Sequence, residues 1–69
     1  MHEMPILLTT KDVSKALGRA VQTLINDRHK GKGLPYVKLG ANVRYLKSDV
    51  ENEIRKNRIV PRQEAEVLG

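Results

Sequence analysis

The sequence contains no cysteine, phenylalanine or tryptophan, and Tyr36 and Tyr45 are its two aromatic residues. Without thiols the chain forms no disulfide, builds no thiolate zinc site and offers no thiol nucleophile, although domains this small often depend on such staples. With so few aromatics, the core has to be assembled from Leu, Ile, Val and Ala. Long apolar runs are missing too. The longest, Ile6 to Leu8, follows Pro5 and falls far short of the ~20 residues of a membrane span. No basic stretch precedes a signal-type hydrophobic segment at the N-terminus. A cytoplasmic protein with no membrane partner is expected.

Catalytic patterns are equally sparse. His2 and His29 stand apart, with no HxH or HExxH spacing and no Ser-His-Asp context, so a metal centre or an activated nucleophile lacks its ligands. The GKG run at Gly31 to Gly33 has neither the preceding strand nor the remainder of a phosphate loop. A chain of 69 residues buries only roughly 60% of its unfolded surface, which allows one domain with a thin core and no enclosed cofactor. No enzyme, cofactor, metal or small-molecule substrate is expected.

Charge is what the chain has in excess: 13 Lys and Arg against 8 Asp and Glu, a formal net charge of +5. The excess is localised. Between Arg28 and Ser48 lie Arg28, Lys30, Lys32, Lys38, Arg44 and Lys47 with no acid, while Glu3, Asp12, Asp27, Asp49, Glu51, Glu53, Glu64 and Glu66 fall outside. Lys and Arg often do no more than solvate a surface. A one-sided basic stretch in a basic mini-domain points instead to a polyanion partner.

Met1 to Pro5 reads as a disordered leader and Ile6 to Leu8 as an apolar anchor. Thr9 with Asp12 three residues on forms a capping-box signal. Val13, Ala16 and Leu17 then share a face, which predicts a first helix from about Thr10 to Leu17 ended by Gly18. The same spacing returns at Val21, Leu24 and Ile25. It predicts a second helix from about Ala20 to His29, with a poor N-cap because neither Arg19 nor Ala20 supplies a side-chain acceptor. Segments Tyr36 to Leu39 and Val43 to Leu46 flank Gly40, Ala41 and Asn42, the signal of a hairpin with Asn42 at its tip. Ser48 with Glu51 at the third helical position predicts a third helix from about Asp49 to Arg58, stopped by Pro61. The order of elements defines a small α+β winged helix-turn-helix over residues 6–59, three helices with a two-stranded hairpin wing between the second and third, and a polar tail over 60–69.

The runs LLTTKDVSKALG and LPYVKLGANVRYLKSDVENEI resemble the excisionase and AlpA-type small DNA-binding proteins of the MerR-like winged-helix superfamily. The likeness covers roughly Ile6 to Ile54 and is most specific at the wing followed by Ser48, Asp49 and Val50. It implies a domain that binds double-stranded DNA, found in excisionases of phages and integrative elements and in small transcriptional regulators.

In that architecture the second helix enters the major groove and the wing meets backbone or minor groove nearby. Outside the apolar stripe of the second helix lie Gln22, Thr23 and Asn26, with Arg19 just before it. Gln and Asn pair bidentately with adenine edges, and Thr meets a thymine methyl or a phosphate. On the wing, Arg44 is the first candidate for a phosphate or minor-groove contact, with Lys38 and Asn42 beside it. Lys30, Lys32 and Lys47 read as nonspecific phosphate partners. Asp27 caps the basic loop or pairs with Arg28, and both tyrosines are assigned to the core.

Two roles share this interface. An excisionase binds side by side with copies of itself, bends an attachment site and directs a partner integrase; a transcriptional regulator occupies a promoter-proximal site. The excisionase is preferred because the DNA-binding unit fills most of the chain. More distant are an RNA-binding module, which usually displays more aromatics than this, and a protein-interaction adaptor.

Overall fold

In the computed structural model, which describes residues 4–61, β1 (Leu7–Leu8) leads into α1 (Thr10–Leu17) and α2 (Val21–His29). The wing strands β2 (Val37–Leu39) and β3 (Asn42–Leu46) follow, and then α3 (Lys47–Lys56). The protein is a small α+β domain of winged-helix type, with three helices and a three-stranded antiparallel sheet ordered β1-β3-β2. Most of the expected leader and tail, residues 1–3 and 62–69, lies outside the described residues; the described flanks Met4, Ile59 and Val60 are exposed.

α1 begins as the capping box requires. The Asp12 amide donates to Thr9 Oγ1 and the Thr9 amide donates to Asp12 Oδ2, both at 3.0 Å. Two otherwise orphaned N–H groups are thereby satisfied. Gly18 closes the helix at φ +67°, a left-handed conformation that costs a residue with a Cβ roughly 1–2 kcal/mol. The chain therefore turns sharply, and α2 packs back on α1.

The core is formed by Val13 of α1, Leu24 of α2, Tyr45 of β3 and Val50 of α3, with Leu8, Leu17, Leu34 and Val43 packed around them. One residue from each of four elements meets in it. Each helix is consequently held by very few buried side chains, and the positions of the elements depend on those contacts.

Three expectations need correction. The anchor at Leu7 and Leu8 is a strand: it pairs with β3, Leu7 opposite Leu46 and Leu8 opposite Tyr45. Two residues are too short to announce a strand by alternation; β1 exists because β3 offers an unpaired edge. The third helix starts at Lys47, with Leu46 as an N-cap that makes no side-chain bond. β3 runs straight into it, and the Lys47 amide is occupied by the Ile6 carbonyl at 2.9 Å. Ser48 thus lies within the first turn rather than capping it, and the helix ends at Lys56, short of Arg58. Finally, Tyr45 is 2% exposed but Tyr36 is 45% exposed, so only one tyrosine belongs to the core.

Candidate nucleic-acid interface

The α1–α2 turn presents α2 with a bare N-terminus. Ala20 has the extended backbone of an N-cap but makes no side-chain bond, as its methyl group dictates. At ~100° per residue, Leu24 marks the buried side, and Gln22, Asn26, His29 and Lys30 fall on the opposite side with Thr23 flanking them; all five are exposed. Gln22 Nε2 donates to Asn26 Oδ1 at 3.0 Å. This holds two amide groups together on the outer surface, each retaining donor and acceptor capacity. His29, which is not among the expected contacts, completes this row; its position seven residues after Gln22 is the signal that identifies it.

The wing is a two-residue hairpin with register Val37 to Arg44, Lys38 to Val43 and Leu39 to Asn42. Gly40 and Ala41 form its tip, with positive φ at Gly40 alone, the sign pattern of a type II′ turn. Asn42 is therefore not at the tip; it opens β3, one residue beyond. Directly paired residues share a face, so Lys38 lies beside the core-packed Val43, facing α2. Arg44 lies with Val37 on the other face.

That division separates the two wing cations. Lys38 joins Arg28, His29, Tyr36, Ala41 and Val43 around an open cleft of about 470 Å³ between the end of α2 and the wing. No acid lines it. Arg44 is half-buried and donates from Nη1 to the Val43 carbonyl at 2.8 Å. Its charge also acts on Asp12, whose carboxyl is held below its ordinary value first by the Thr9 backbone and hydroxyl and more weakly by Lys15 and Arg44. The structure does not bring Arg44 to the α2 row.

The other expected contacts divide similarly. Arg19 points back toward α3, 4.0 Å from Glu53, and lines a groove with Ala16, Leu17 and Ile54. Lys32 is 4.0 Å from Asp27 and Lys47 is 3.9 Å from Glu51. Such exposed pairs are worth ~0–1 kcal/mol and open readily. The Lys30 and Lys32 amides donate to the backbone carbonyl of Asp27 at 3.1 and 2.9 Å, bonds that any residue there would accept, while its carboxylate pairs with Lys32 rather than with Arg28. Lys30 and Lys38 carry no ion pair among the described residues.

Arg28, absent from the expected contacts, is half-buried and makes two contacts within the protein. Its Nη1 donates to the Tyr45 hydroxyl at 2.8 Å, and its guanidinium lies 5.6 Å from the Tyr36 ring centroid. Among the described residues, no group of three or more His, Cys, Asp and Glu is placed to hold a metal ion, and no helix is long and apolar enough to cross a membrane. Compared with protein-family models, with curated proteins and with solved structures, the chain finds no match.

Proposed function

We propose that this protein is a sequence-specific double-stranded DNA-binding module in which α2 reads the major groove and the wing grips the adjacent backbone. The observation that supports it is the continuous polar and basic row of Gln22, Asn26, His29 and Lys30, which leads across the acid-free cleft to Lys38. Gln22 and Asn26 have the donor and acceptor pattern for adenine, and Thr23 suits a thymine methyl or a phosphate. Lys30 and Lys38 are the first phosphate partners, with Lys32 and Lys47 recruited when their pairs open. No catalytic step, cofactor or small molecule enters this reading.

Within it we assign the chain to excisionase duty in the cytoplasm of a prokaryotic cell or phage-infected host, bound to the nucleoid. A recognition helix of 9 residues covers few base pairs, so useful affinity calls for copies side by side, and an array that bends its site biases a partner integrase. Regulation of transcription is the other role that the same interface serves.

Gel-shift titration against duplex, single-stranded and RNA competitors tests the reading: duplex DNA should compete best, and loss of that preference would overturn it. Circular-permutation analysis then separates the roles, since a site left straight is incompatible with the excisionase.

A further inference from the structure

α2 and the wing are the two parts that a duplex would have to meet together, yet neither wing strand is a close neighbour of α2, which packs mainly on α1. Besides the core that Leu24 of α2 shares with Tyr45 and Val43 of β3, a polar side-chain link joins them. The Arg28 guanidinium donates to the Tyr45 hydroxyl at 2.8 Å and stands over the Tyr36 ring at 5.6 Å. The two rings lie 6.4 Å apart, tilted at 56°. Every other side-chain hydrogen bond among the described residues joins positions no more than 5 apart in sequence; this one spans 17. Tyr45 is the buried aromatic at the centre of the core, whereas Tyr36 sits just before β2 at the base of the wing. Arg28 therefore reaches from the last turn of α2 to both the core and the root of the wing.

We infer that Arg28 is a positioning residue: clamped by the Tyr45 hydroxyl and the Tyr36 ring, it sets the angle and spacing between α2 and the wing, and so determines whether both engage one duplex at once. The inference rests on the DNA-binding reading. Its chemistry is suited to the task, because a planar guanidinium can bond at its edge and stack on its face simultaneously, which the compact ammonium of Lys cannot do. Losing the clamp leaves every phosphate partner in place, and leaves β3 paired with β1 and packed in the core, but loosens the angle between the end of α2 and the wing. Binding then has to order it, and affinity falls through preorganisation rather than through charge.

Two variants keep all cations and remove one half of the clamp each: Tyr45→Phe deletes the hydroxyl within a nearly isosteric core residue, and Tyr36→Leu deletes the ring. Residual dipolar couplings on the free protein should report altered or averaged α2–wing orientation in both. Duplex affinity should fall by roughly three- to tenfold, while the slope of log affinity against log salt stays at the unaltered protein's value, because the phosphate contacts are unchanged. Arg28→Gln should show the same affinity loss, and the Arg28→Gln, Tyr45→Phe double variant should lose little more than either alone. Unchanged couplings together with unchanged affinity in both tyrosine variants would overturn the inference. So would an Arg28→Gln protein whose couplings are normal but whose salt slope drops by a full phosphate contact, for Arg28 would then be touching DNA. Failure of the unaltered protein to prefer duplex DNA would instead overturn the functional reading, and the couplings of the free protein would still decide whether the clamp orders the wing.

Discussion

Replacing Lys38 by Ala, with Arg44→Ala as its counterpart, tests which face of the wing meets a polyanion. Hairpin register puts Lys38 on the α2 side and Arg44 on the other; Arg44 is further occupied with the Val43 carbonyl. If Lys30, Lys32, Lys38 and Lys47 each neutralise one phosphate, log affinity should fall with log salt at a slope of about −3.6, at roughly −0.9 per contact. Lys38→Ala should bring the slope to about −2.7. Between 50 and 200 mM salt, that single contact is worth about a 3.5-fold difference in how far affinity drops, well within the resolution of fluorescence anisotropy. Arg44→Ala should leave the slope near its original value. The reverse result, with Arg44→Ala flattening the slope and Lys38→Ala leaving it alone, would mean that the wing presents its outer face, and the assignment built on register would be wrong.

Gln22→Ala and Asn26→Ala, which remove the amide pair on the exposed side of α2, should each cost about 1–3 kcal/mol of discrimination against the wrong base while nonspecific binding holds steady in competition titrations; equal loss of both would contradict the face. Ala20→Ser supplies the missing acceptor where the backbone is already extended at φ −64° and ψ 144°. It should stabilise the domain by about 1 kcal/mol, seen as a melting midpoint raised by roughly 4–8 °C. Asp12 has its folded pKa lowered by the Thr9 backbone and hydroxyl, so its contribution is complete above the ordinary carboxylate value and disappears as pH falls through the lowered one. In an acid series of thermal melts, Asp12→Asn should be less stable than the unaltered protein at neutral pH and converge with it at the acid end; a constant gap at every pH would show that the capping carboxylate is not the cause.

α1 was legible to the residue, because a capping box and a C-terminal glycine are local devices whose bonded partners, Thr9 with Asp12 and Gly18 with Ser14, lie no more than four residues apart. The wing was legible as a hairpin for the same reason, through Gly40 and the β-rich segments around it. β1 and the true start of α3 were not, since both depend on a pairing across some forty residues of chain: β3 recruits Leu7 and Leu8, and the Ile6 carbonyl takes the amide of Lys47. Ser48 and Glu51 make a sound local signal that this pairing overrides. Gln22, Thr23 and Asn26 could be placed on an exposed face by helical period alone, and His29 could have been added by the same count.

By itself the sequence determined a thiol-free, aromatic-poor α+β domain, its helix-turn-helix-wing order, and a basic stretch free of acids from Arg28 to Ser48. Those are properties of composition and of short-range periodicity, which act within a turn or a hairpin. Which cations share a face was decided only by the tertiary structure. A strand turns successive side chains to opposite sides, so Lys38 and Arg44 were parted by register, and Arg28 was drawn from the basic stretch into a clamp by two tyrosines that the fold brings beside it.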